Sequence, residues 1–161
     1  LLREAARRPW FANTLFVVIA DHCASSAGKT SLPIDRYHIP CLVYAPKLVK
    51  PAYIDKVCSQ IDVMPTVLSL LHLRTEVGFT GKDILASSFR PRAFMATYQD
   101  LGYYEGNRLT VLSPVRNVRQ FTVRPLSDGT FDEQPANQID GALLRKAEAN
   151  YQYVNLYLKA R

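Results

Sequence analysis

Asn13-Thr14-Leu15-Phe16-Val17-Val18-Ile19-Ala20-Asp21-His22 is the stretch that decides how this chain folds. From Leu15 to Ala20 every residue is apolar and β-branched or aromatic residues dominate, which predicts a strand buried on both faces. The run then breaks off in a carboxylate and an imidazole. In open α/β sheets, ligands bind in the crevice beyond the carboxyl ends of the strands, so Asp21 and His22 stand where a site is expected. The pair reads in two ways. A hard oxygen beside a borderline nitrogen suits a divalent cation such as Zn²⁺ or Mn²⁺. Alternatively, Asp21 caps a following turn or helix while His22 only packs or hydrogen-bonds.

Working outward, Leu1 to about Trp10 read as the end of an amphipathic helix closed by Arg7-Arg8-Pro9, and a helix leading into a buried strand is an α/β signature. The chain opens as if inside that helix, which suggests a piece cut from a longer protein. After His22, residues 23–33 are small and polar and form a loop. Gly28-Lys29-Thr30 invites comparison with a phosphate-binding P-loop, but Cys23 stands where an earlier glycine is needed and Pro33 where a helix should run. Lys29 is left as a lone ammonium able to meet an anion, or as a solvated loop lysine. Tyr37 to Pro46 holds a second short buried strand between Pro40 and Pro46, with His38 just before it. Ile54 to Leu73 is helical: Asp62 caps, Pro65 falls in the first turn, and Val63, Val67, Leu70 and Leu71 share a face. Gly78 and Gly81 close that unit in a loop, and His72 reads as structural.

Beyond Leu85 the pattern changes. Ala93–Tyr98, Arg108–Leu112 and Arg119–Val123 are β-prone segments separated by Glu105-Gly106-Asn107 and Ser113-Pro114, which predicts an antiparallel ribbon at the edge of the main sheet. Residues 127–138 read as a polar loop. Leu143, Leu144, Ala147, Tyr151, Val154 and Leu158 recur every three or four residues and predict a terminal helix that packs its stripe on the sheet.

The bulk properties set limits. With 161 residues, 48% of them hydrophobic, the chain can bury a core, and disorder along its length is excluded. No run approaches the ~18 apolar residues of a membrane span, and no signal-peptide pattern opens the chain. The net charge of +6 is spread over scattered arginines without a dense stripe or a nucleic-acid motif. It therefore points to a basic, solvated surface that attracts an anionic substrate or membrane rather than to nucleic acid. Cys23, Cys41 and Cys58 make no disulfide framework and no CxxC unit, and Cys41, inside an apolar run, reads as a small core residue.

Several of these pieces agree with one family. The run from Asn13 to His22, Tyr37-His38-Ile39-Pro40, Gln60-Ile61-Asp62-Val63-Met64-Pro65-Thr66-Val67-Leu68 and Phe79-Thr80-Gly81-Lys82-Asp83-Ile84-Leu85 together resemble the C-terminal part of sulfatase-type enzymes of the alkaline phosphatase superfamily. Within it the likeness is greatest to the lipoteichoic acid synthase and phosphoglycerol transferase branch. The match is close as far as Leu85 and loose thereafter. It implies an α/β fold, part of an alkaline-phosphatase-like sandwich, in which residues 1–85 form a core segment with the ligand strand and residues 86–161 a β-ribbon and C-terminal helix.

The resemblance also implies a chemistry. Such enzymes cleave phosphate or sulfate esters with a metal-held Thr or Ser nucleophile, converted to formylglycine in true sulfatases. Asp21 and His22 carry over as ligands of a divalent metal, whether Mn, Zn, Mg or Ca. Lys29, eleven residues before Pro40, matches the place of a lysine that contacts the ester's anionic group in many sulfatases. His38 falls where some members of the transferase branch hold phosphate with histidine, against a capping or packing role. The nucleophile and an early acidic ligand lie upstream in such enzymes, so the expectation is a C-terminal piece inactive by itself, with the rest of the parent chain as partner. Membrane helices in that parent would place it on the periplasmic side. A sulfate ester hydrolase and a non-catalytic sulfatase-like binding module are the competing functions, and an uncovered strand edge leaves self-association open.

Overall fold

The computed structural model describes residues 1–23, 32–76 and 78–160. Two sheets divide the strands. β1 (Phe16–Ile19) and β2 (Cys41–Tyr44) pair antiparallel, with Phe16 opposite Tyr44 and Ile19 opposite Cys41. Five further strands, β3 (Arg92–Ala96), β4 (Leu101–Glu105), β5 (Arg108–Ser113), β6 (Asn117–Pro125) and β7 (Phe131–Pro135), form an antiparallel meander in sequence order. The helices are α1 (Leu2–Ala5), α2 (Val63–Leu70) and α3 (Gly141–Lys159). Among the described residues no helix is long and apolar enough to cross a membrane.

The central strand is not buried on both faces as its composition predicts. Val17 and Val18 of β1 and Leu42 of β2 are exposed, and Cys41, expected in the core, is exposed too. The apolar run matches a fully covered sheet, but among the described residues the sheet has only two strands. One local cluster covers part of it: Phe11 lies 5.4 Å from Phe16 and 6.0 Å from Tyr44 between ring centroids. The N-terminal helix is likewise shorter than predicted. α1 stops at Ala5, and Pro9 restarts the chain as a 3-10 helix to Asn13, because proline fits a first helical position and not an interior one.

The β-ribbon is a complete sheet of its own, and it holds the core. Leu32 and Ile34 from the first half pack with Met95, Tyr104, Leu109, Val111 and Val123 on one face. α3 covers the other, where Ala147 is fully buried and the Tyr151 hydroxyl donates to the carbonyls of Met95 and Gly102 at 3.0 and 2.8 Å. The stripe's last member departs from the prediction: Leu158 is exposed. Two strands that the sequence reading did not include are present. β4 is Leu-Gly-Tyr-Tyr-Glu, joined to β5 through a two-residue turn whose first residue, Gly106, has φ +63° as a hairpin of that length needs. β7 lies within the stretch read as a polar loop, and it pairs with β6 from Phe131 opposite Pro125 to Pro135 opposite Phe121. Its polar side chains, Asp132, Glu133 and Gln134, suit a sheet edge.

The two halves are joined at Asp62. This carboxylate is fully buried and takes two hydrogen bonds from Arg92, at 2.6 and 2.8 Å. The Arg92 guanidinium lies between Phe89 and Phe94, 5.4 and 5.3 Å from the ring centres, so stacking on both faces accompanies the fork-to-fork pairing. Asp62 also accepts from the Ser59 and Lys82 amides, which fills its acceptor positions. Asp62 stands at the N-cap position of α2, as the sequence reading has it, but its side chain makes no capping bond there. Ser59 caps the 3-10 turn, Gln60–Asp62, that leads into α2, in a reciprocal box with Asp62.

Candidate functional site

β1 delivers its carboxyl end to the surface. Asp21 and His22 are open to solvent, with 87% and 68% of their side chains exposed, so neither serves a core. The Asp21 Oδ1 atom accepts the His22 amide at 2.9 Å, and Asp21 Oδ2 stands 3.4 Å from His22 Nε2. The other ring nitrogen, Nδ1, lies 2.9 Å from the Cys23 carbonyl oxygen. A carbonyl oxygen only accepts, so Nδ1 carries a proton in that bond. Nε2 then presents Asp21 with either a second N–H or a lone pair. A lone pair beside a carboxylate oxygen is repulsive unless a cation lies between them. This is the arrangement found where a histidine is oriented for metal by a hydrogen bond from its second nitrogen.

The residues therefore fit a divalent cation as two of its donors. They do not complete a site, because four donors are the minimum for Zn²⁺ and six are usual for Mg²⁺. Among the described residues no group of three or more histidine, cysteine or acidic side chains gathers around a common point.

Two described segments lie beside the pair. His38 precedes β2, and its carbonyl oxygen accepts from the Cys23 thiol at 3.3 Å, so the backbone at residue 38 runs beside the residue after His22. Lys29 lies outside the described residues. Gln60, which the sequence did not single out, reaches in from the 3-10 turn before α2. Its side-chain amide donates to the carbonyls of Ala20 at 3.0 Å and Asp21 at 2.8 Å. The usable signal was its place one residue after the cap Ser59, where a long polar side chain leaves the turn pointing outward.

His72 is structural, as read. It follows the end of α2 in a left-handed conformation, φ 55°, with its amide donating to Ser69 and the Leu73 amide to Leu68. These two bonds are the Schellman closure of a helix.

Two likenesses bear on this geometry. Residues 1–73, which include β1, the Asp-His pair, β2 and α2, match the sulfatase family model. The whole fold is that of the alkaline phosphatase superfamily: the crystal structure of a superfamily protein from Vibrio parahaemolyticus matches with a TM-score of 0.85 and 28% identity over 98% of this chain. This chain spans 38% of the length of that one.

Proposed function

We propose that this chain is the C-terminal part of a metal-dependent phosphoryl or phosphoglycerol transferase, or phosphodiesterase, acting on lipid- or glycan-linked esters. The observation that carries the reading is the exposed Asp21 and His22 pair, set side by side at the carboxyl end of β1 inside the segment that matches the sulfatase model. A divalent metal held there in the longer protein would polarise the ester and lower the charge on its non-bridging oxygens. Asp21 and His22 hold it, while Lys29 and His38 offset charge on the anionic group. The nucleophilic hydroxyl and the remaining ligands come from upstream, so the 161 residues alone turn over no ester. An extracytoplasmic position, anchored by upstream membrane helices, belongs to the same reading.

A second reading is favoured by a specific observation, the sulfatase model itself: hydrolysis of sulfate esters. The Asp-His dipeptide, where true sulfatases commonly carry Asp-Asn, supports phosphoryl chemistry instead. Assay of the full-length protein on bis(p-nitrophenyl) phosphate and p-nitrophenyl sulfate with added Mn²⁺ or Zn²⁺ separates them. The expected result is metal-dependent turnover of the phosphodiester that vanishes in Asp21→Ala. Turnover of the sulfate ester alone establishes the second reading. No turnover of either ester with any divalent metal makes the chain part of a binding module.

A further inference from the structure

An extended strand cannot present Asp21 and His22 together. Successive side chains of a strand point to opposite faces, and successive carbonyls point to opposite edges of the sheet. Yet the two side chains approach within 3.4 Å, and the carbonyls of Ala20 and Asp21 converge on a single nitrogen. The chain has therefore left strand geometry directly after Ile19, the last residue of β1 paired with β2. Gln60 Nε2 carries two hydrogens, one for each carbonyl, and so matches the bend without leaving a donor unused.

From this geometry we infer that Gln60 is the positioning residue of the Asp21 and His22 pair: its amide clamps the Ala20 and Asp21 carbonyls and turns both donor side chains to one point. The inference rests on the pair being metal ligands. Gln60 itself is held firmly. Its preceding neighbour Ser59 accepts the Phe94 amide at 2.8 Å and donates its own amide to Asp62 at 2.9 Å. Asp62 is locked by Arg92 and by the Lys82 amide, and its carbonyl takes the Thr66 hydroxyl at 2.7 Å. Rigidity built in the buried cap is thus passed through one exposed side chain to the backbone of the donor pair. Gly81 makes the close approach possible, since a Cβ there would stand 1.9 Å from the Ile61 carbonyl oxygen within the same turn.

The test measures Zn²⁺ affinity of the full-length protein by competition with a chromophoric chelator, alongside the melting temperature of the metal-free protein. Gln60→Met keeps the side chain's length and removes both donors. Because Gln60 is exposed, this variant should melt within a few degrees of wild type yet bind Zn²⁺ about tenfold or more weakly, the usual scale for losing a group that orients a ligand. Gln60→Asn, too short to reach both carbonyls, should weaken binding in the same direction. Ser59→Ala serves as the structural control, lowering the melting temperature by loss of the cap. Wild-type affinity in Gln60→Met and Gln60→Asn overturns the inference, as does a loss no larger than Ser59→Ala produces for an equal fall in stability. His22→Ala separates the two levels. If it binds Zn²⁺ as wild type does, the metal-ligand reading itself fails and the inference falls with it.

Discussion

At the scale of single residues, polar side chains carry more of this structure than the apolar pattern shows. Asp62 and Arg92 are both buried, and breaking such a pair by removing one partner leaves a charge uncompensated in a dry site. Their pairing is not legible in the sequence, where Asp62 before a helix reads as a cap and Arg92 is one of many scattered arginines. Only their meeting 30 residues apart gives them a role. Tyr151 makes a pH-dependent contribution whose sign follows from its position. Burial against the sheet raises its pKa from the usual 10 to about 12. Below pH 10 the hydroxyl is protonated in folded and unfolded chains alike, and its contribution is fully present. Between about pH 10 and 12 the unfolded chain loses that proton while the folded one keeps it, so stability falls as pH rises. Urea unfolding across this window should show a component of that decline that is absent in Tyr151→Phe; equal slopes for the two proteins would refute it.

At the scale of elements, ends were harder to read than interiors. α3 was legible from its periodicity, and β5 and β6 from β-prone residues between turns; of the stretch from Ile54 to Leu73 read as helical, only α2 and the 3-10 turn before it are helix, and residues 54–59 are not. β4 was missed although Tyr103 and Tyr104 precede a Gly-Asn turn, because only its hairpin partners reveal the register. β7 was missed because an edge strand need not be apolar. The close of α2 carries local strain. His72 sits at φ 55°, in the region where a side chain crowds the backbone and glycine does not. His72→Gly should therefore stabilise the fold by roughly 0.5–1 kcal/mol, read as a higher midpoint in chemical unfolding, with no change in metal affinity. A lower midpoint would mean that the imidazole makes a contact worth more than the strain.

At the scale of the whole molecule, the two sheets differ in how well they are covered. The five-stranded sheet is packed on both faces, by residues around Leu32 on one and by α3 on the other. The β1 and β2 sheet is not, with Val18 and Leu42 more than half exposed and Trp10, beside Phe16, equally open. Apolar surface and unpaired strand edges of this kind are adhesive. The 161 residues expressed alone should accordingly self-associate with rising concentration and bind a hydrophobic dye, whereas a longer chain that covers this sheet should not. A strictly monomeric chain in light scattering at high concentration would count against the prediction.

The sequence by itself determined the local terms: an apolar run cut off by Asp21 and His22, the helical stripe from Leu143 to Tyr151, and the turn at Gly106. Those follow from neighbours along the chain, where periodicity and backbone preference act. It also carried a likeness to sulfatase-type enzymes, and the proposal that the pair holds a metal rests on that likeness. Only the tertiary structure decided that β1 is exposed, that Ser59 and not Asp62 caps the turn before α2, that Arg92 meets Asp62, and that Gln60 grips the backbone behind Asp21 and His22. Each depends on which distant segments meet, and hydrogen bonds between residues 30 or 40 positions apart leave no periodic trace in the chain.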